Sequence, residues 1–267
     1  MDTWLLEHQT LLRASVFFMV FIVMAGWEQL APKKHLSQPK WYRWINNLSL
    51  VFFNSFLLPF TLPFLAVAMA YLVESQQLGF FYWLNTPTWF NLILSLILLD
   101  MIIYWQHRLF HRIPLLWRLH RVHHADQDID VTTGSRFHFI EIWLSMLIKL
   151  VTIAVLGISP LAVFVFEVIL NASAMFNHSN ISLSHRIDQR LRKWIVTPDM
   201  HRVHHSIHRN ETDSNYGFCL SIWDRWFGSY IDQPKEGHQK MVIGISLFRT
   251  PQEQSLWRML LQPFRKQ

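Results

Sequence analysis

Long apolar runs alternate with shorter polar stretches along this chain. The first run, from Leu11 to about Leu30, is long enough to cross a bilayer as a helix. It stops at Ala31-Pro32-Lys33-Lys34, and Trp41, Tyr42 and Trp44 follow, residues suited to a membrane interface. A second run covers about 48–73 with Pro59 and Pro63 inside it, which a membrane helix tolerates. A third runs from Thr88 to about Trp105. Two further runs, Phe139 to Leu156 and Leu161 to Phe176, are joined by Gly157-Ile158-Ser159-Pro160 and read as a hairpin. The hairpin either reaches the far surface or turns part-way through the membrane. The domains that follow are 1–105, with helices at about 11–30, 48–73 and 88–105; a polar segment at 106–138; the hairpin at 139–177; and a soluble-looking remainder at 178–267.

Lys and Arg are unevenly shared among the connections. The 31–47 linker holds four and the 106–138 segment five, while 74–87 holds none. The positive-inside rule therefore places the linker, the 106–138 segment and the C-terminal region in the cytoplasm, and the N-terminus outside. The N-terminus lacks the pattern of a cleavable leader, since Asp2 and Glu7 precede the run with Arg13 as its one basic residue. The sequence thus predicts an integral, multi-pass membrane protein.

Composition agrees. The 267 residues are 51% hydrophobic and only 16% charged, where a soluble domain carries about a quarter charged residues. The net charge of +6 sits beside apolar runs, as membrane orientation requires, and not as a stripe that would bind nucleic acid. The single cysteine, Cys219, rules out an intrachain disulfide and a Cys-based metal site.

The polar segments carry the chemistry. His107 and His111 are four apart, and His-Arg-Val-His-His occurs twice, as His120, His123, His124 and as His201, His204, His205. On a helix, residues three and four apart share a face, so each cluster can aim imidazoles at one point. The adjacent pair diverges by about 100° and suits two neighbouring metals better than one. Eight histidines exceed what one ion can use, which argues for two. His178 is a further expected ligand, and His138 and His208 are possible extra ligands or partners of ligand rings. Asp100, Glu141, Asp199, Glu211, Asp213, Asn215 and Asp224 are expected to orient the ligands, because a metal-bound histidine usually donates its other N–H. Asp100, two turns before His107 on α-helical spacing, is expected to hold one of the rings. His8, His35, His185 and His238 have no partner at ligand spacing and read as ordinary surface residues. No Ser-His-Asp elbow, dinucleotide fingerprint or phosphate loop is present.

The run Asp100-x-x-x-Tyr104-x-x-His107-Arg108-x-x-His111, then Trp117-x-x-His120-x-x-His123-His124, resembles the membrane-bound fatty acid hydroxylase/sterol desaturase superfamily. So do Asn177-His178-Ser179-Asn180 and the stretch from His201 through Glu211-Thr212-Asp213-x-Asn215-Tyr216-Gly217 to Trp223-Asp224-Arg225-x-Phe227-Gly228. The likeness covers roughly residues 95 to 230. It implies an all-α membrane protein of about four transmembrane or membrane-embedded helices plus a hairpin partner helix, capped by a cytosolic histidine-rich helical domain. It also implies two iron ions, ligated by His107, His111, His120, His123, His124, His178, His201, His204 and His205, with O2 as co-substrate. The reaction would be hydroxylation or desaturation of an unactivated C–H position on a lipid from the bilayer. Electrons would come from a separate donor such as a cytochrome b5-like protein or a ferredoxin. Trp105, Trp117, Phe137 and Trp143 are candidate walls of the substrate channel. Relatives can carry a further histidine four residues before the one at His178, where this chain has Ala174, and Phe139 stands where the pattern often has Pro. A carotenoid hydroxylase and, in a different class, a zinc-binding membrane protein or metal transporter remain as alternatives.

Overall fold

The computed structural model describes residues 2–266. In chain order the first elements are α1 (Asp2–Leu30), α2 (Lys40–Thr61), α3 (Ala66–Ser75), the one-turn α4 (Phe80–Trp83), α5 (Thr88–Arg112), α6 (Pro114–His124), α7 (Phe139–Leu156) and α8 (Pro160–Asn177). Short helices follow: α9 (His185–Leu191), α10 (Pro198–His204), α11 (Arg209–Thr212), α12 (Ile222–Trp226), α13 (Gly237–Lys240) and α14 (Leu256–Leu261). Among the described residues β pairing is confined to isolated bridges such as Ile195 with Leu220.

Five segments of the chain are long and apolar enough to cross a membrane. Phe18, Phe52, Phe56, Trp89 and Val151 point outward from them and are exposed. Water would penalise a belt of such side chains, whereas lipid solvates it. This is a helical membrane protein with a buried histidine-rich region.

The run at 48–73, predicted as one helix, is two. Leu62 is extended (φ −127°, ψ 136°) after α2, and Leu65 is extended (φ −98°, ψ 169°) before α3. Pro63 explains the break, because it lacks an N–H and disfavours helical backbone in the residue before it. Pro59, a turn earlier, stays inside α2. That helix also begins well before the apolar run does. Its buried face is Arg43, Asn47, Leu50, Asn54 and Leu58, so the polar half of the face hid the first turns from a hydropathy reading. Similarly α5 does not stop at Trp105 but runs on to Arg112, and its last turns carry His107 and His111.

The turn between α7 and α8 meets the connection between α3 and α5. Gly157 is left-handed (φ 75°) and a Cβ on Gly79 would lie 2.3 Å from the Gly157 nitrogen, so both positions require glycine. The hairpin tip therefore sits level with the start of α5. Around it Val67, Ala70, Phe81, Leu99, Ile153, Val163 and Phe166 form the main apolar cluster, drawn from α3, α4, α5, α7 and α8.

At the other end of the bundle a buried ion network fastens α2 to the segment after α6. Arg43 is fully buried, bonds Asp126 at 2.9 and 2.8 Å and Thr133 at 3.1 Å, and pairs with Asp130. Burial alone would raise the Asp126 carboxyl, but Arg43 and Arg136 beside it, with hydrogen bonds from Arg43 and Thr133, bring it down to about 2. Replacing Arg43 by Met leaves buried Asp130 without the cation it pairs with and Asp126 with only Arg136, 3.9 Å away. Breaking a buried pair in this way costs about 3–5 kcal/mol. The expected result is a markedly lower melting temperature of the detergent-solubilised protein; an unchanged one would show that the network does not hold the fold.

Candidate metal centre

Four pieces of backbone deliver the histidines. The last turns of α5 present His107 and His111. Ile113 is extended and Pro114 opens α6 at its first position, where the missing N–H costs nothing; α6 then carries His120, His123 and His124. His178 caps the C-terminus of α8. Thr197 accepts from the Met200 N–H to start α10, whose first helical residue is Pro198, and His201 and His204 follow on that helix with His205 as its cap.

All nine histidines expected as ligands are buried, and they gather in two groups. One is His107, His111, His120, His124 and His204, and the other is His123, His178, His201 and His205. Within each group one ring nitrogen of every residue lies within 4.8 Å of the others. Both His-His pairs split between the groups: His123 and His205 go to one, His124 and His204 to the other. The divergence of adjacent helical residues produces this division.

Hydrogen bonding fixes which nitrogens are free. His107 Nδ1 donates to the Tyr216 carbonyl at 2.8 Å, His204 Nδ1 to the Ser214 carbonyl at 2.7 Å and His178 Nδ1 to the Ala174 carbonyl at 2.8 Å. A carbonyl only accepts, so in these rings Nδ1 carries the proton and Nε2 a lone pair. His120 Nδ1 lies 2.6 Å from Glu141, and His111 Nδ1 lies 3.3 Å from Asp213. With Glu141 accepting, the Nε2 atoms of His107 and His120 face each other at 3.1 Å with no proton between them. Nε2 of His178 is 3.1 Å from that of His123 and 3.0 Å from that of His201. Nε2 of His111 and of His204, and both ring nitrogens of His124 and His205, are buried without any partner.

Leaving one buried polar atom unpaired costs roughly 1–3 kcal/mol, so a cluster of converging lone pairs is unstable unless something binds them. A cation at the centre of each group satisfies all of them at once, and an all-imidazole donor set suits iron, zinc or copper. Burial lowers the His120 and His178 imidazoles to about 3. It holds His123, His124, His201, His204 and His205 well below the ordinary range, with neighbouring imidazoles adding to the effect. The rings are therefore neutral at pH 7, the form that binds metal.

The other expected site residues scatter. Glu141 and Asp213 touch ligand rings, as described. Asp100 does not; it accepts from the backbone N–H groups of Cys219 (3.1 Å) and Leu220 (3.0 Å) and from Trp223 Nε1 (2.8 Å). Its helical face is right but the chain beyond α8 folds onto that face and takes the carboxylate. Asp224 accepts from the N–H groups of Tyr216 and Gly217 at 2.7 and 2.8 Å, and so supports the segment whose Tyr216 carbonyl orients His107. Asn215, at φ 47°, bridges the Met200 and Ile231 carbonyls and shapes the turn between the Ser214 and Tyr216 carbonyls. Asp199 pairs with Lys33 and Arg202, and Glu211 accepts from the Lys235 N–H. His138 lies outside both groups, because its two nitrogens are taken by the Ile140 N–H and the Leu260 carbonyl. His208 is also outside them, half-exposed and 3.0 Å from Glu236. His238, expected at the surface, has its ring largely buried 3.9 Å from Asp199, and burial draws it down to about 4. Sequence reasoning missed the carbonyls of Ala174, Ser214 and Tyr216, since any residue supplies a carbonyl and only the fold selects which.

A cavity of about 310 Å³ opens beside the histidines and runs between α1, α2, α5, α7 and α8. His107, His120 and His123 line it, so both groups reach it, along with Glu141, Phe137, Ala174 and Phe218. Phe137 stacks on His123 with ring centroids 4.5 Å apart. Of the four aromatics expected as channel walls, Phe137 alone lines the cavity; Trp117 packs on His111 instead, and Trp105 faces outward against Phe227.

The chain is 32% identical over 150 residues to the ornithine lipid hydroxylase OlsE of Rhizobium tropici, a match covering 56% of this chain and 44% of that protein. It is 28% identical over 185 residues to human alkylglycerol monooxygenase, covering 66% and 37% of the two chains. It is 26% identical over 148 residues to mouse cholesterol 25-hydroxylase, covering 54% and 48%. The chain thus spans less than half the length of each of these relatives. No solved structure matches it. The model of the fatty acid hydroxylase family matches residues 92–229, a stretch that contains every histidine of the two groups, and the chain belongs to that family.

Proposed function

We propose that this protein is a di-iron, O2-dependent enzyme that oxidises an unactivated C–H position of a membrane lipid. The observation that carries the reading is the meeting of two buried, neutral histidine groups at one cavity between apolar helices. Iron bound in the two groups supplies the activation of O2 and the oxidation of the carbon. The chain does the rest. Carbonyls and carboxylates on Nδ1 hold His107, His111, His120, His178 and His204 in one tautomer with Nε2 turned inward. The apolar walls, including Val51, Leu58, Ile103 and Phe110, keep water out and accept a hydrocarbon chain. Phe137, stacked on His123, limits how a carbon can approach.

The relatives named above are hydroxylases or a monooxygenase, which favours insertion of oxygen over desaturation. The substrate is a lipid drawn from the bilayer, with sterol and acyl frameworks both compatible. Two electrons come from a separate carrier such as a cytochrome b5-like protein or a ferredoxin. By the distribution of Lys and Arg, the histidine end of the bundle faces the cytoplasm.

Three outcomes test this reading. His204→Ala removes a ligand and is expected to abolish iron binding in its group while the protein still inserts in the membrane; full iron content and turnover in that variant would sink the ligand assignment. Glu141→Ala deprives His120 of its acceptor, and loss of such a partner weakens metal binding roughly 10–100-fold. A chelator titration followed by metal analysis measures it. Comparing lipids of cells with and without the gene is expected to reveal one lipid class that has gained a single oxygen. Protein isolated with zinc alone, and no O2-dependent product under any donor, would instead favour a structural zinc site.

A further inference from the structure

Three ionisable side chains lie inside the membrane-spanning bundle and have no part in the histidine groups. Lys149 on α7 and Arg13 on α1 both reach Glu167 on α8, at 2.8 and 2.5 Å. Lys149 and Glu167 are largely buried. Two cations share one carboxylate, so one positive charge is left uncompensated, and among the described residues no other carboxylate pairs with either. Arg13 Nε is buried without a hydrogen-bond partner. A surplus charge at this depth is costly, and ionisable groups inside a span are retained where they do a job.

Their position relative to the cavity suggests that job. Glu141, Ser145 and Lys149 recur every fourth residue on α7, share one face and all line the cavity. Glu141 touches His120, and Lys149 lies about 12 Å further along the helix axis. It is the cavity's farthest lining residue from the histidines on α7. Asn171, one turn from Glu167 on α8, lines both the cavity and a small cleft that Arg13 also lines. The end of the cavity farthest from the histidines along α7 is thus positively charged and polar.

We propose that Lys149 and Arg13, held by Glu167, form a subsite for the anionic end of a single-chain lipid whose hydrocarbon extends toward the histidines. The proposal rests on the lipid-oxidising reading above and specifies the polar end of the substrate. A carboxylate or a phosphate monoester supplies the missing negative charge. Anchoring that end holds the oxidised carbon a fixed distance along the chain.

Equilibrium binding to the purified, detergent-solubilised protein tests it with three probes of one chain length: hexadecanoate, hexadecyl phosphate and hexadecanol. The wild type is expected to bind at least one anionic probe about tenfold or more tightly than the alcohol, and the tighter anion identifies the headgroup chemistry. Lys149→Met is expected to erase the preference and leave hexadecanol affinity unchanged, while Lys149→Arg keeps it. Arg13 still pairs with Glu167 in the Met variant, and its melting temperature checks that it is folded; should it not fold, Arg13→Gln removes the other cation and is expected to lower the preference likewise. Equal affinity of the wild type for all three probes, or an equal loss of all three in the folded variant, overturns the proposal and leaves the three residues as a structural tie. Binding needs no turnover, so that failure leaves the oxidative reading standing. Absence of any O2-dependent product would sink the oxidative reading without touching the anion preference.

Discussion

Nine neutral imidazoles are packed together in the protein interior, and their lone pairs converge on one another in two groups. The rest of the fold answers to that constraint. In five of the rings the Nδ1–H is tied to an acceptor, which turns Nε2 toward the centre of the group. The Ser214 and Tyr216 carbonyls do this from a turn shaped by Asn215 and Asp224, and the Ala174 carbonyl does it from the end of α8. The region beyond α8 is consequently not a separate lid. It docks on α5 through Asp100 and completes the hydrogen bonding of histidines that α5 itself carries.

The same constraint explains how polar the bundle's histidine end is inside. Arg43, Arg121, Arg136 and Arg202 are all fully buried there. An apolar layer would pack as well, yet it would not hold the α2, α6 and 125–136 backbones in register with hydrogen bonds of fixed direction. The Arg43 network joins a residue at the start of α2 to carboxylates just beyond His124. It thereby fixes the exit of α6 and with it the aim of that helix's three histidines. At the opposite end, where no such aim is needed, packing is glycine on glycine and aliphatic side chains.

Much of this was legible in the chain. Apolar runs placed the spans, and the twofold His-Arg-Val-His-His announced a two-part site whose division between adjacent histidines the structure reproduces. What escaped has a common physical origin. The start of α2 and the end of α5 were missed because buried Arg43 and Asn47 and buried His107 read as polar when burial is invisible. Asp100 was assigned to a ring because helical spacing describes one helix and not what packs against it. His138 stands near the ligands in sequence, but its Nδ1 caps α7 and its Nε2 donates to the Leu260 carbonyl. Carbonyl partners leave no trace in side-chain identity.

Ala174 links these points to the cavity. The resemblance to relatives allows a histidine there, four residues before His178, yet this chain has the smallest side chain that still favours helix. The backbone at that position is already committed, since its carbonyl accepts from His178 and lies close enough to Gly134 that a Cβ on the glycine would stand 2.5 Å from it. Ala174 and Gly134 both line the cavity, so the pair of small residues keeps open the ground where an imidazole would otherwise stand. The two histidine groups are correspondingly unequal, five against four. The smaller group includes His178, and the cavity arrives on its Ala174 side. On the proposed reading, the residue that looked like a missing ligand is the one that gives a substrate carbon room to approach.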